Sequence, residues 1–233
     1  MRGAVLALAA LAALALGARE LTGGTRADAA AAGSAAAERR AREPGPVPLV
    51  KQVYRNNCET AALSMLLGSA NRPVDQRTLQ RQLPRSGPLD PVVRADGAWL
   101  WGAPDEGFVG RPRGGGTAGG FGVYQGPIRR LAARYGVRLA DLSRAPLDAV
   151  LARLRRGRPV MAWIGLSEGP YRRWYTPAGR LISVNFGEHT VVLTGMRGST
   201  ILVNDPLSGS RLEWSVAEFA RRWDLLGRRA LGL

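Results

Sequence analysis

A chain of 233 residues with one cysteine, one histidine and one lysine forgoes several kinds of chemistry at the outset. With Cys58 alone, no internal disulfide can form, so a disulfide-stapled scaffold is excluded. A zinc site closed by cysteines and histidines is excluded as well, because Cys58 and His189 supply only two of its four ligands. No GxxxxGK[ST] loop and no Rossmann fingerprint is present, and neither a metal nor a cofactor is expected. The scarcity of lysine leaves arginine to carry nearly all of a formal charge of +15. Such a surface is drawn to an anionic cell envelope. The arginines are scattered in pairs such as Arg129–Arg130 and Arg221–Arg222. They lack the zinc-finger, basic-zipper or aromatic-strand grammar of nucleic-acid readers, so nucleic acid is not an expected partner. No internal repeat is visible, and nothing points to a paired-carboxylate glycosidase.

The N-terminus carries Met1 and Arg2, then an apolar run from Gly3 to Ala18 ending in small residues. This is the order of a secretory signal, and the run is shorter than the roughly 20 residues of a spanning helix. Residues 1–18 are therefore expected to be a signal peptide cleaved near Ala18. Leu16, where a small residue is preferred, keeps an uncleaved membrane anchor open. Residues 19–44 are small, polar and charged without apolar period and read as a flexible linker. A domain over 45–233 is expected to follow, exported and either secreted or tethered to the outer face of the membrane.

Within that domain the segment from Val47 to Tyr54 reads as extended or a strand. CETAALSMLLG repeats its apolar residues at helical spacing after Asn57, a good N-cap, so Cys58 falls in the first turn of a helix ending near Gly68. VDQRTLQRQLP is a second helix stopped by Pro84. Residues 85–126, rich in glycine, proline and tryptophan, form a long connection of the kind that is usually functional. Helices opening at Pro127 and closing at Gly136, and running from Pro146 to Gly157, flank a strand in VRLADL. PVMAWIGL, RLISVNF, HTVVLTGM and TILVNDP are short β-segments, the last two forming a hairpin over 189–195 and 200–204. VAEFARRW is a final helix. An N-terminal helical part packed on a C-terminal antiparallel sheet makes the expected class α+β.

Scarcity also directs attention to chemistry. A thiol at a helix N-terminus gains from unpaired N–H groups and the macrodipole, which favour thiolate; its bland alternative is a small buried hydrophobe. His189 begins an apolar strand, where a base is held rigidly. Asp205, 16 residues on at the end of the hairpin partner, is placed to orient the ring, although Asn204–Asp205–Pro206 is also an ordinary turn. Gln52, six residues before Cys58, has an amide suited to an oxyanion.

VPLVKQVYRNNCETAALSMLLG, followed by EHTVVLTG and ILVNDPLSG, resembles the C39-like peptidases, papain-like proteins related to the bacteriocin-processing peptidases that cut after a double glycine. The middle segment, WGAPDEGFVGRPRG and GGFGVYQGPIRRLAARYGV, resembles the secreted or membrane-anchored branch of that group. The resemblance covers roughly 47–224. It implies a papain-like cysteine peptidase fold with Gln52 as oxyanion donor, Cys58 as nucleophile, His189 as base and Asp205 as its orienting group. The implied partner is a peptide or protein substrate, with a preference for small residues such as Gly-Gly. Glu59 departs from the family, which usually has glycine after the cysteine; pointed inward, its charge opposes thiolate formation. The rival readings are a catalytically inactive papain-fold binding module at the envelope and a cell-wall peptide amidase or transpeptidase. Trp99, Trp101, Phe121 and Tyr124 are candidates for cleft walls or for core.

Overall fold

The computed structural model describes residues 28–34, 44–115 and 118–233. Met1–Glu43 and Pro44–Leu233 are separate compact units. In the first, residues 28–34 are an exposed helix within the stretch read as linker. Four consecutive alanines, the best helix formers, account for it. The expected signal peptide lies outside the described residues. Among the described residues no helix is long and apolar enough to cross a membrane.

The second unit is built on helix α1 (Cys58–Ser69), which is buried on nearly every side. Its sequence is apolar all round, as a central helix requires. It is one residue longer than Gly68 suggested. Helix α2 (Gln76–Gln82) starts where Asp75 accepts N–H bonds from Arg77 and Thr78 at 2.9 and 3.3 Å. The following segment contains four strands of two or three residues: β1 (Val92–Val93), β2 (Trp99–Leu100), β3 (Val109–Gly110) and β4 (Gly120–Gly122). The long connection expected there is thus partly sheet; strands this short give no alternation to read. Helix α3 (Gln125–Arg134) starts two residues before Pro127, which sits in its first turn, where its missing N–H costs nothing. Only β5 (Ala140–Asp141) of VRLADL is strand, and helix α4 (Leu147–Arg155) follows.

Next come β6 (Val160–Gly165), β7 (Tyr171–Tyr175), β8 (Leu181–Asn185), β9 (Glu188–Arg197), β10 (Thr200–Asp205) and β11 (Ser210–Ser215). Helix α5 (Val216–Asp224) is capped by Ser215, which accepts from Glu218 N at 3.1 Å, and β12 (Ala230–Gly232) closes the chain. The main sheet has the order β11-β10-β9-β6-β12-β5 and every pair is antiparallel. The hairpin read from the sequence is the β9–β10 pair. β7, β11 and β12 were not foreseen.

The sheet is covered on both faces, which is why β6 is buried throughout rather than alternating. Met161, Trp163 and Val192 pack with α1 and α3. Val160, Ala162, Ile164, Val191 and Leu193 pack with α4 and α5. The class is α+β. A smaller sheet, β1-β2-β7-β8, contributes Trp174 to an aromatic cluster: Trp101 meets Trp174 edge-on at 5.1 Å, and Phe121 meets Trp174 at 5.8 Å and Tyr124 at 5.6 Å. Trp101, Phe121 and Tyr124 are buried in the core, and Trp99 packs against it.

Residues 44–54 form no strand. Pro44, Pro46 and Pro48 lack the donors a ladder needs. The segment is instead a strap, tied by Gln52 N to Pro206 O at 2.8 Å and by Asn204 Nδ2 to Pro48 O at 3.1 Å. Trp174 is the hub of the aromatic cluster and also donates from Nε1 to Gly102 O at 2.7 Å. Trp174→Ala is expected to cost about 3–5 kcal/mol, read as a lowered midpoint in guanidinium unfolding.

Candidate active site

The loop before α1 is shaped by side chains rather than by a helix cap. Asn57 occupies the N-cap position of α1, as expected, but its side chain makes no capping bond. Its Oδ1 accepts from Tyr54 N at 2.7 Å, and its Nδ2 donates to Gln76 Oε1 at 2.8 Å and Thr60 Oγ1 at 3.2 Å. Gln76 in turn donates from Nε2 to Lys51 O at 2.8 Å. This network holds the strap and delivers Cys58 as the first residue of the helix. Gln52 serves the same loop: its Nε2 donates to Tyr54 O and Arg55 O, both at 2.9 Å. Its Oε1 is buried without a partner among the described residues. As folded, both of its N–H bonds are used by the loop.

His189 and Asp205 come together across the β9–β10 hairpin, with Nε2 to Oδ1 at 2.6 Å. Alternation along β9 turns His189 to the side of Val191, and Asp205 follows Val203 onto that side of β10. Both are buried. Burial by itself would raise the Asp205 carboxyl. Hydrogen bonds from His189, Ser208 and the Leu207 N–H, with the charge of His189, outweigh it and hold the group well below the usual range. An ionised carboxylate can only accept, so the imidazole must carry its proton on Nε2 and leave Nδ1 as the basic nitrogen. Asp205 is also the turn residue that its Asn-Asp-Pro context implied, accepting from Leu207 N at 2.9 Å and Ser208 Oγ at 2.7 Å. One carboxylate does both jobs.

The thiol meets the other side of β9. Glu188 and Thr190 alternate onto the face of Val192 and α1, toward the Cys58 sulfur. Glu59 points inward with no exposed surface. Its Oε1 accepts from Val123 N at 2.6 Å, and its Oε2 takes the hydrogen bond of the Cys58 thiol at 3.6 Å. Glu188 Oε1 accepts from Thr190 Oγ1 at 3.1 Å. The Cys58 sulfur and a carboxyl oxygen from each glutamate lie within 4.8 Å of one another. Gly122 makes room for this, with φ at 125° and no side chain; a Cβ there would run into Glu59 Oε1.

Burial pushes Glu59 up to about 7, against hydrogen bonds that pull it down. Burial and the neighbouring Glu59 charge push Glu188 well up. Cys58 is raised well above its ordinary value, first by burial and then by the charges of Glu59 and Glu188; contacts with Thr190 offset only part of this. The three groups favour shared protons over the fully deprotonated set that a bound cation would demand. Glu188 and the inward Glu59 thus join the site. Glu188 was missed, although its position two residues before Thr190 and four before Val192 places it on the α1 face.

Known proteins confirm the lineage. The profile of the Peptidase_C39 like family matches residues 45–231. The chain belongs to the peptidase C39-like family. It is 32% identical over 180 residues to the uncharacterised protein YvpB of Bacillus subtilis (strain 168), an alignment spanning 76% of this chain and 68% of that one. A crystal structure described as that of a candidate C39-like peptidase from Bacillus anthracis superposes with a TM-score of 0.67 and 28% identity, over 80% of this chain and 93% of that chain. The α+β body of this C39-like protein is therefore a papain-like peptidase fold, with α1 and α2 ahead of the antiparallel sheet on which α1 packs.

The Glu59 shift has a testable sign. A carboxyl raised from 4.5 in the open chain to about 7 in the fold stabilises the fold below about pH 4.5, and that contribution is lost as pH rises through about 7. The loss is roughly 3 kcal/mol for a buried group. Glu59→Gln keeps an oxygen for Val123 N and removes the charge. It is expected to flatten the fall in stability between pH 4.5 and 7 and to lower the Cys58 pKa, seen as faster iodoacetamide labelling at pH 8. Unchanged labelling would show that Glu59 does not oppose thiolate formation.

Proposed function

We propose that this protein is an exported cysteine peptidase in which Cys58 attacks a peptide carbonyl and His189 serves as base and acid. Membership of the C39-like family supports the reading, and the observation that carries it is the buried His189–Asp205 bond of 2.6 Å. A fixed Nε2–H tautomer is what a base presenting Nδ1 requires. β9 sends His189 to the side opposite Glu188, Thr190 and the thiol, so attack begins only when the thiol gives up its bond to Glu59 and a side-chain or loop movement brings the sulfur to Nδ1, which takes its proton. The sulfur forms a C–S bond, and the tetrahedral oxyanion is met by the Cys58 backbone N–H, which has no acceptor within the helix. Gln52 joins it only by withdrawing an N–H from Tyr54 O or Arg55 O. The imidazolium then protonates the leaving amine as the C–N bond breaks. Water, deprotonated by His189, attacks the thioester and restores the thiol. Cleavage after small residues such as Gly-Gly is the family-level expectation for the substrate, and export rests on the signal-like run Met1–Ala18.

A second reading, a papain-fold binding module without turnover, is favoured by one feature: the inward Glu59 and the raised thiol that accompanies it. Reactivity decides between them. For the enzyme, peptidase activity on a peptide library vanishes in Cys58→Ser. Asp205→Asn lowers kcat by about a hundredfold or more, and His189→Ala removes a component of Cys58 alkylation that titrates below the ordinary thiol range. For the module, alkylation follows one high thiol pKa that His189→Ala does not move, and no peptide is cut.

A further inference from the structure

Tyr54, in the loop that delivers Cys58, forms one wall of a cleft of about 320 Å³ that the chemistry above does not use. That volume is at the small end of ligand pockets, about 300–1,000 Å³. Four arginines line it: Arg77 and Arg81 from α2, Arg85 from the turn after it, and Arg113 from the loop after β3. Leu83, Phe108 and Pro112 add apolar surface. Arg77 and Arg113 lie over the Tyr54 ring, their guanidinium carbons 5.7 and 4.7 Å from its centroid. Arg85 donates to Gly110 O at 2.7 Å and Arg81 to Thr78 Oγ1 at 2.9 Å, both neutral acceptors. Among the described residues, none of the four forms an ion pair with a carboxylate. Asp90, on a nearby loop, is bound by Arg111 at 2.6 Å.

Placing four guanidinium groups around one small space without an anion is unfavourable by mutual repulsion, and it is relieved by a ligand that brings negative charge. The cleft is also tied to the nucleophile. Thr60, two residues into α1 from Cys58, donates to Gln80 of the cleft at 3.0 Å, and Asn56 N bonds Pro112 O at 2.9 Å. The cleft and the nucleophile are thus held by one loop and the first turn of α1.

We infer that the cleft is a specificity subsite for an acidic side chain, Glu or Asp, of the peptide substrate. The inference rests on the peptidase reading of the site. A planar guanidinium pairs with a carboxylate through two parallel N–H···O bonds, and the apolar wall suits the methylenes of the acidic side chain. A phosphate polymer presents similar charge, but the small cleft, on the loop that also carries Cys58, favours a single acidic side chain.

Binding is measured on the full chain carrying Cys58→Ala, so that it is read without turnover. The probes are fluorescein-labelled short peptides of Gly, Ala and Leu, carrying either a Glu pair or a Gln pair at matched positions. The Glu peptides are expected to bind about tenfold or more tightly than the Gln peptides. Arg81→Gln with Arg113→Gln is expected to remove that preference and leave Gln-peptide binding unchanged. Arg155→Gln on exposed α4, well apart in sequence, is the control for the general +15 charge and should preserve it. Equal binding of both peptides overturns the inference, as does a preference that Arg155→Gln weakens as much as the cleft variants do. Inorganic polyphosphate that binds through Arg81 and Arg113, while Glu and Gln peptides bind alike, reassigns the cleft to a phosphate polymer and also overturns it. A Glu preference without any cleavage by the wild-type chain would leave the subsite standing and remove the peptidase.

Discussion

The interaction on which the rest of the site depends is the hydrogen bond from Val123 N–H to the buried carboxyl of Glu59. It joins the first turn of the central helix to the junction of β4 and α3, and it fixes the Glu59 side chain under the thiol. A first-turn glutamate normally faces solvent, where the macrodipole favours its charge by about 0.3–1 kcal/mol. Here the same carboxyl is enclosed by α1, β9 and the Gly122 backbone, and desolvation exceeds the dipole's contribution, so its pKa is raised. The thiol obeys the same balance. Its place at the helix start argues for a ready thiolate, yet burial and two adjacent carboxyls overrule the dipole. Position on a helix is a weak guide to a thiol's charge when the turn around it is dry.

The two halves of the site are organised by different physics. His189 and Asp205 are held by paired strands, and Asp205 is locked a second time by the turn it caps. That half is preorganised and electrostatically settled, with an ionised carboxylate and a determined tautomer. The Cys58 half is held by protonation. Its hydrogen bond to Glu59, and the proximity of Glu188, keep the proton on sulfur until the carboxyls are neutral or the thiol moves away. Any nucleophilic reactivity at Cys58 is therefore governed less by His189 than by what the glutamate pair is doing.

What could be read in the sequence follows from the length scale of each signal. β6 is an unbroken apolar run buried on both faces, and β9 has an apolar centre, Val191–Leu193, from which the β9–β10 hairpin followed. The amphipathic α3 and α5 declared themselves by apolar stripes, and α1 by being apolar all round. The rarity of cysteine and histidine reduced the search for a nucleophile and a base to single residues. β1 to β4 escaped because two or three residues carry no period, and β7, YRRWY, because one side of it is solvated and charged. The strap is no strand, one of the two alternatives its apolar residues left open, because its prolines forbid a ladder.

The polar contacts of the site were harder for a different reason. Asn57 is an ordinary N-cap by type, but it spends its amide on Thr60 in the same turn and on Gln76, a partner that only the packing of α2 against α1 provides. Gln52 has the right amide at the right distance before Cys58, and the fold spends both N–H groups on its own loop. Glu188 is adjacent in sequence to the histidine yet faces away from it, because a strand sends neighbours to opposite sides. In each case the residue type was informative and the direction of its side chain was not. Direction here is set by long-range pairing: β9 against β10 turns His189 to Asp205, and α1 against β9 turns Cys58 to Glu188. The arrangement of the site is thus a property of the sheet and of the helix lying on it, and it exists only once both are in place.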